Sequence, residues 1–151
     1  MSWETNYSYY TVPAAYLAAY SMHFYAVTSS GKNFNMSIPR TTEDNCSKDE
    51  KMEPILLGKI LRARGAHQNG NETIGLYAAG VVAANLAGVD KHALNKLSLA
   101  YLATRLFYNY SYVWLQEKSG FGGSRPLVWT ASMAIIFTLF IKAGNAINAN
   151  L

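Results

Sequence analysis

Four stretches of the chain are long, apolar and almost free of charge. They cover residues 10–27, 73–89, 97–115 and 127–141, and a single charged residue, Arg105, interrupts the third. A helix that crosses the hydrocarbon core of a bilayer needs about 20 predominantly apolar residues. Because several stretches are near the short end of that range, we expect their helices to extend past the bilayer. The pattern therefore predicts an all-α, integral membrane four-helix bundle.

The connections between these stretches differ in length. Residues 28–54 contain Gly31, Pro39 and a mixed-charge run, which predicts a solvated loop. From Ile55 onwards apolar residues recur at helical spacing without proline, so the second helix should begin there and project from the membrane. The second span is rich in small residues, which allow helices to approach closely. These are Gly75, Ala79, Gly80, Ala83, Ala84 and Gly88.

The distribution of lysine and arginine predicts the orientation. The net charge is +4, but the basic residues lie in loops and form no basic helix face, which argues against a nucleic-acid partner. Basic residues favour the cytosolic side of a membrane. The termini and the middle loop hold three: Lys91, Lys96 and Lys142. The first and third loops hold nine: Lys32, Arg40, Lys48, Lys51, Lys59, Arg62, Arg64, Lys118 and Arg125. We therefore expect both termini in the lumen and the loop of residues 28–54 in the cytosol.

Cysteine and histidine offer little chemistry. The single cysteine, Cys46, excludes an intrachain disulfide and is expected to be a loop thiol. His67 has no second histidine at metal-ligand spacing, and His23 and His92 are expected to be structural, so we predict no metal site. The glycosylation sequon at Asn6 would be lumenal, while those at Asn35 and Asn45 would be out of reach in the cytosol.

Two ionisable residues are expected at membrane depth, where a charge costs roughly 2.5 kcal/mol or more and usually faces a bundle interior. They are Glu72 and Arg105. At about 100° per residue, Glu72 shares an arc of roughly 80° with Arg62 and Asn69. The resulting face would suit a ligand with ammonium and carboxylate groups. The alternative is a purely structural pair between Glu72 and Arg105.

A stripe of residues on the third helix strengthens the same site. Tyr101, Arg105, Tyr108 and Tyr112 are spaced by four, three and four residues. Ordinary packing would also explain the tyrosines. Arg125 stands between a glycine-rich loop and the fourth helix, where its guanidinium can reach a cavity from the cytosolic side. Its alternative role is to reach a lipid phosphate.

These residues resemble the membrane-associated proteins in eicosanoid and glutathione metabolism, the MAPEG family. The motif is Arg62 followed by Ala66-His67-Gln68-Asn69-Gly70-Asn71-Glu72, similar to the family pattern R-x-x-x-A-H-x-N-x-x-E. Pro39-Arg40, Arg105 with Tyr108 and Tyr112, and Arg125 also match. The segments 84–90 and 142–145 look like a largely fungal branch. The resemblance covers nearly the whole chain.

The resemblance implies a homotrimer in the endoplasmic reticulum membrane, with glutathione held between subunits near the cytosolic face. It also implies conjugation of glutathione to lipophilic electrophiles, reduction of lipid hydroperoxides or isomerisation of prostaglandin endoperoxides, on substrates that enter from the membrane lipids. Asn69 and Glu72 would bind the peptide, and Arg125 would stabilise its thiolate, because a neighbouring guanidinium lowers a thiol pKa. The remaining glutathione-binding residues would be Arg62, Arg105, Tyr108 and Tyr112.

Two positions depart from the prostaglandin-synthase branch of the family. Gln68 replaces an arginine that would bind a glutathione carboxylate, and Trp129 replaces a tyrosine. Prostaglandin synthesis is therefore disfavoured. The family also includes a member that presents lipid without catalysis, so a non-catalytic lipid-binding or scaffold protein is the main alternative. A transporter is disfavoured, because one glutamate and one arginine that can neutralise each other leave no ion relay.

Overall fold

A computed structural model describes residues 4–116 and 124–149 of the chain, and these residues are helical with no strand. Helix α1 covers Ser8–Ser30, and α2 is a short helix at Thr42–Lys48. Helix α3 covers Pro54–Leu86. Helix α4 covers Lys91–Tyr110 and continues as a π-helical segment at Ser111–Leu115, which we call the π turn. Helix α5 covers Ser124–Ala149. Each of the four apolar stretches lies largely within one long helix, although the second ends just beyond α3 and the third continues into the π turn.

Helix α3 is one continuous helix of 33 residues, so the predicted restart near Ile55 is confirmed. At 1.5 Å per residue it is about 50 Å long, which exceeds the ~30 Å hydrocarbon core of a bilayer. Its end is capped at Gly88, which has a φ of 73°. There the Val89 N–H donates to the Ala84 carbonyl at 3.0 Å and the Gly88 N–H donates to Asn85 at 3.1 Å. The Asp90 side chain then caps α4 by accepting from the Ala93 N–H at 2.9 Å.

The core lies where α1 packs along α3 and α5 packs across α3 and α4. Tyr77 and Tyr101 are fully buried and stack on each other, with ring centroids 3.7 Å apart. Burying a hydroxyl requires a partner. The Tyr77 hydroxyl is 2.6 Å from the hydroxyl of Thr11, and the Tyr101 hydroxyl is 3.1 Å from that of Thr73. These bonds join α1, α3 and α4.

The segment before α1 is fastened by two asparagines, in an arrangement that we call the amino-terminal clasp. The side chain of Asn95 on α4 accepts from the Tyr7 N–H at 2.7 Å and donates to the Thr5 carbonyl at 2.8 Å. Asn85 on α3 accepts from the Asn6 amide at 2.6 Å and donates to the Ser8 hydroxyl at 2.9 Å. Four hydrogen bonds therefore tie residues 5–8 to α3 and α4 at one end of the bundle.

The connection between α1 and α3 is more structured than the predicted solvated loop. It contains α2 and short 3₁₀ turns at Gly31–Asn33 and Pro39–Thr41. Asp49 links its two ends by accepting from the Asn33 amide at 2.9 Å and pairing with Lys32 at 3.3 Å. These bonds, led by the one from Asn33, hold the pKa of the Asp49 carboxyl below its usual value. The expectation that Cys46 is a loop thiol is wrong, because it lies on α2 and is fully buried against the bundle.

The small residues of α3 divide between two faces. Gly80 is buried, and a Cβ there would lie 3.3 Å from Phe140 and 3.4 Å from Leu139 on α5, so this close approach is within the subunit. Gly75 and Ala79 are exposed, and a Cβ on Gly75 would have no contact within 4 Å. They belong to a face of α3 that no other described element covers, which we call the open face. Its members are Leu61, Gln68, Glu72, Gly75, Leu76, Ala79 and Val82.

By length and composition, one helix in the described part of the chain qualifies as a membrane span, Arg125–Ala149. The other long helices are less apolar on average, since α1 is rich in tyrosine and α3 carries Arg62, Arg64 and Glu72. Their outer surfaces nevertheless expose large apolar side chains. These include Leu17, Phe24, Leu76, Leu86, Leu106 and Phe107.

Candidate functional site

A cavity of about 380 Å³ opens at the start of α5, and we call it the Arg125 pocket. Three helices contribute to it, because α3 supplies Asn69, α4 supplies Tyr108 and α5 supplies the rest. The α5 residues are Arg125, Pro126, Trp129 and Thr130. This volume is within the range of small-molecule sites. The pocket combines a cation, an amide and hydroxyl groups with an apolar indole, which suits a polar ligand that meets a lipophilic one.

The guanidinium of Arg125 rests on an aromatic face. Its Cζ atom is 4.3 Å from the centroid of the Tyr112 ring, a cation–π distance. The Tyr112 ring in turn lies close to α3, since a Cβ on Gly65 would be 2.9 Å from the Tyr112 hydroxyl oxygen. A larger residue at this position would displace the ring, so Gly65 sets how near Tyr112 lies to α3.

Arg62, on α3, contacts the π turn next to Tyr112. Its Nε donates to the carbonyl of Val113 in the π turn at 3.2 Å. Two turns further along α3, the Asn69 amide donates to the Gly65 carbonyl at 2.9 Å, and this bond holds the Asn69 side chain at the edge of the pocket. Arg62 and Asn69 thus share a flank of α3, as their predicted arc requires.

Glu72 lies on the open face and reaches a different cavity, of about 610 Å³, between α1, α3 and the loop before α2. Its carboxylate accepts from the Gln68 amide at 3.2 Å. This α1–α3 cavity is polar and its charges balance, with Arg64 bonded to Glu43 at 2.9 Å. It is lined by His23, Pro39, Arg40, Glu43, Arg64, His67, Gln68, Asn71 and Glu72.

Arg105 is buried inside the bundle and lies 4.8 Å from the centroid of the Tyr108 ring. Its two terminal nitrogens have no hydrogen-bond partner within the described chain. The alternative of a structural pair between Glu72 and Arg105 does not match this geometry, because α3 presents Glu72 on its exposed side. Arg105 faces the opposite side of α3, where its Nη2 is 3.8 Å from a Cβ placed on Gly70.

The structure thus brings together three of the predicted site residues around one pocket, namely Asn69, Tyr108 and Arg125, with Tyr112 supporting Arg125. It places Arg62 on the π turn, Arg105 in the interior and Glu72 on the open face. Sequence reasoning missed Thr130 and the supporting role of Gly65. Helical spacing from Arg125 and Pro126 could have indicated Thr130, whereas the Gly65 contact depends on tertiary packing.

The described part of the chain is thus an all-helical bundle with an arginine-lined pocket at the start of its last helix. The MAPEG family model matches residues 9–145, and the chain belongs to the MAPEG family. No curated protein matches it, and no solved structure does. Membership confirms the family predicted from the sequence and makes this a membrane-associated protein of a family that generally uses glutathione.

Proposed function

We propose that the chain is a glutathione-dependent transferase or peroxidase that acts on lipophilic electrophiles or lipid hydroperoxides. The observation that carries the proposal is the meeting of Arg125, Tyr108 and Asn69 from three helices around one pocket. A single cation next to hydrogen-bonding groups is what binding and ionising a small thiol peptide requires. The apolar Trp129 at the same pocket suits the second, lipophilic reactant.

In the proposed reaction Arg125 stabilises the glutathione thiolate. A free thiol has a pKa near 8.5 and is mostly protonated at neutral pH, and a guanidinium beside the sulfur lowers that pKa. The thiol proton leaves to solvent. With an electrophile, the thiolate forms a C–S bond as the leaving group departs or as the substrate double bond takes up a proton. With a hydroperoxide, it attacks the terminal oxygen, the O–O bond breaks, and the alkoxide leaves and takes a proton to become the alcohol. A second glutathione then converts the glutathione sulfenic acid to the disulfide and water. Asn69 and Glu72 hold the peptide, with Arg62, Arg105, Tyr108 and Tyr112 around it.

The open face of α3 supports the proposed trimer. It places the Glu72 carboxylate on the outside of a single subunit, where lipid contact would be expensive. A neighbouring subunit that covers this face would remove the cost and would bring a second chain to the site. The proposed assembly is a homotrimer with four spans per subunit in the endoplasmic reticulum membrane and with lumenal termini.

The proposal predicts separate effects on binding and ionisation in Arg125→Ala. The variant should keep most of its glutathione affinity but lose the thiolate absorbance, and turnover of a generic electrophile should fall about 100-fold or more. Arg125→Lys, which keeps a cation, should retain part of both. Lys96→Ala removes an exposed charge at the other end of α4 and is the matched control.

Two results would contradict the proposal, and each excludes a different part of it. An Arg125→Ala variant with normal thiolate absorbance and normal turnover would exclude the assigned role of Arg125. Folded wild-type protein that binds glutathione without ionising it would exclude the transferase altogether.

A non-catalytic lipid-binding protein is the second candidate, and one observation favours it. An apolar groove of about 410 Å³ runs between α4 and α5. Its one polar side chain, Thr104, is already bonded to the Tyr101 carbonyl at 2.7 Å, so nothing in the groove needs a polar ligand. The lining residues are Ala103, Thr104, Phe107, Leu127, Val128 and Ala131. Lipid binding without thiolate formation would favour this candidate.

A further inference from the structure

The π turn connects Arg62 of α3 to Arg125 of α5. Two consecutive residues carry the connection. The Val113 carbonyl accepts the Arg62 Nε–H at 3.2 Å, and the Tyr112 ring lies under the Arg125 guanidinium at 4.3 Å. Because Tyr112 and Val113 are adjacent, fixing the carbonyl of one restricts the ring of the other.

Gly65 limits the Tyr112 ring at its hydroxyl end. A Cβ at this position would lie 2.9 Å from the Tyr112 hydroxyl oxygen and 3.1 Å from its Cε1 atom. The ring is therefore seated directly on the backbone of α3. Gly65 and Arg62 are three residues apart on the same flank of α3, so one helix face both seats the ring and holds the π turn.

Helix geometry explains why this region needs an external donor. The last carbonyls of a helix have no following N–H groups within the helix, and a cationic donor near a helix carboxyl end also interacts favourably with its dipole. Single π-helical turns are rare and occur frequently at functional sites. The Arg62 guanidinium satisfies one such carbonyl of the π turn.

We infer that Arg62 is a positioning residue for the proposed thiolate chemistry. It holds the π turn so that Tyr112 supports Arg125 at the pocket. This inference rests on the proposed function, and it differs from the direct contact with glutathione that the family resemblance implies for Arg62. A direct contact predicts loss of affinity when Arg62 is replaced, whereas a positioning role predicts loss of thiolate stabilisation at nearly constant affinity.

The first test needs no glutathione. Hydrogen–deuterium exchange is measured on residues 108–116 of the ligand-free, assembled protein. Arg62→Met should speed exchange in this segment, and Arg62→Lys, which keeps a cationic donor, should restore part of the protection. Lys96→Met, the control, should match wild type. Unchanged exchange in Arg62→Met overturns the inference, whether or not the protein is an enzyme.

The second test measures whether replacing Arg62 weakens thiolate stabilisation without weakening glutathione binding. The pH midpoint of thiolate formation by bound glutathione should rise by about one unit in Arg62→Met, which lowers turnover by up to about tenfold at pH values below the wild-type midpoint. The KM for glutathione should change by less than about threefold, and turnover should recover at high pH. Gly65→Ala should shift the midpoint in the same direction, because its Cβ displaces Tyr112, while alanine favours the helix.

The outcomes of the second test separate the possible roles. A large rise in KM with an unchanged midpoint would show direct binding by Arg62 and overturn the positioning role. Unshifted midpoints in both variants would overturn it as well. A wild-type protein that never ionises glutathione would exclude the proposed function instead, and the exchange result would still decide whether Arg62 holds the π turn.

Discussion

Asn95 is a single buried amide that bonds two backbone groups in the segment before α1. Its side chain is fully buried, and it is bonded both to the Tyr7 N–H and to the Thr5 carbonyl. Truncating such a residue removes two hydrogen bonds and leaves two backbone groups without their partners. Asn95 is therefore the residue of the amino-terminal clasp whose loss should matter most.

We expect Asn95→Ala to destabilise the protein by about 2 kcal/mol, because each unsatisfied buried group costs roughly 1–3 kcal/mol before water replaces part of the bonding. For a chain of this size that corresponds to a fall in Tm of about 4–8 °C. Thermal unfolding of the purified protein in one detergent measures the change. Asn148→Ala, at an exposed position on α5, is the control and should stay within about 1 °C of wild type. An unchanged Tm in Asn95→Ala would show that the clasp contributes no stability.

At the same scale, the sequence predicted the interior position of one of the two expected intramembrane charges but not the exposed position of the other. Arg105 is buried, as an intramembrane arginine is expected to be, whereas Glu72 is exposed. A helical wheel gives the angles between residues and leaves open which angle faces a neighbour. The orientation of α3 follows from its packing on α1, which the sequence pattern does not specify. In the proposed trimer, a partner subunit that packs on the open face would cover Glu72.

Among the elements, the long helices were predictable because their apolar runs are long. Helix α2 was not, since it has seven residues and its one apolar side chain is Cys46. Its burial depends on α3, because Cys46 packs in a cluster with Ile60 and Ala63. Tertiary contact therefore creates this helix, and a local pattern of mixed charge could only indicate a loop.

The connection between α1 and α3 contains a residue that can report the membrane topology. Three sequons lie outside the four long helices, and in two of them the asparagine amide is bonded, Asn6 to Asn85 and Asn45 to Asn33. Asn35 lies in an exposed segment beside Met36, which is 83% exposed. Asn35 is therefore the sequon that a glycosylating enzyme could use in the folded chain. Its state reports which side of the membrane the connection occupies.

With the connection in the cytosol, protein made in glycosylating membranes should carry no glycan at Asn35. In sealed vesicles with the cytosolic face outward, Met36→Cys should react with an impermeant thiol reagent. Wild-type protein is the matched control and should stay unlabelled, because Cys46 is fully buried. A glycan removed by endoglycosidase and absent from Asn35→Gln would reverse the proposed orientation.

On the scale of the whole molecule, the open face of α3 is the surface that remains to be covered. It combines exposed Gln68 and Glu72 with small residues, so it is too polar for lipid and flat enough for another helix. The buried surfaces of α3 are already occupied by α1 and α5. A substitution on the open face should therefore affect assembly, whereas a substitution on a buried face of α3 should affect the fold of the subunit.

We expect Gly75→Leu to leave the subunit folded and to break the proposed trimer, because its side chain meets open space in the subunit and would meet a neighbour in the proposed assembly. Gly80→Leu should instead disturb the fold, because it collides with Leu139 and Phe140. Native mass measurement in mild detergent gives the oligomeric state, and circular dichroism with thermal unfolding gives the fold. A stable trimer in Gly75→Leu would place the interface elsewhere, and a monomeric wild type would exclude the intersubunit site.

The amino-terminal clasp also sets an order of events during synthesis. Helix α1 leaves the ribosome first, yet the residues in front of it are bonded to Asn85 and Asn95, which follow about 80 to 90 positions later. Contacts between such distant positions close late, since the intervening chain must first be arranged. The clasp can therefore form only after α3 and the start of α4 have been made. Its closure marks the moment at which a nascent subunit acquires its finished amino-terminal end.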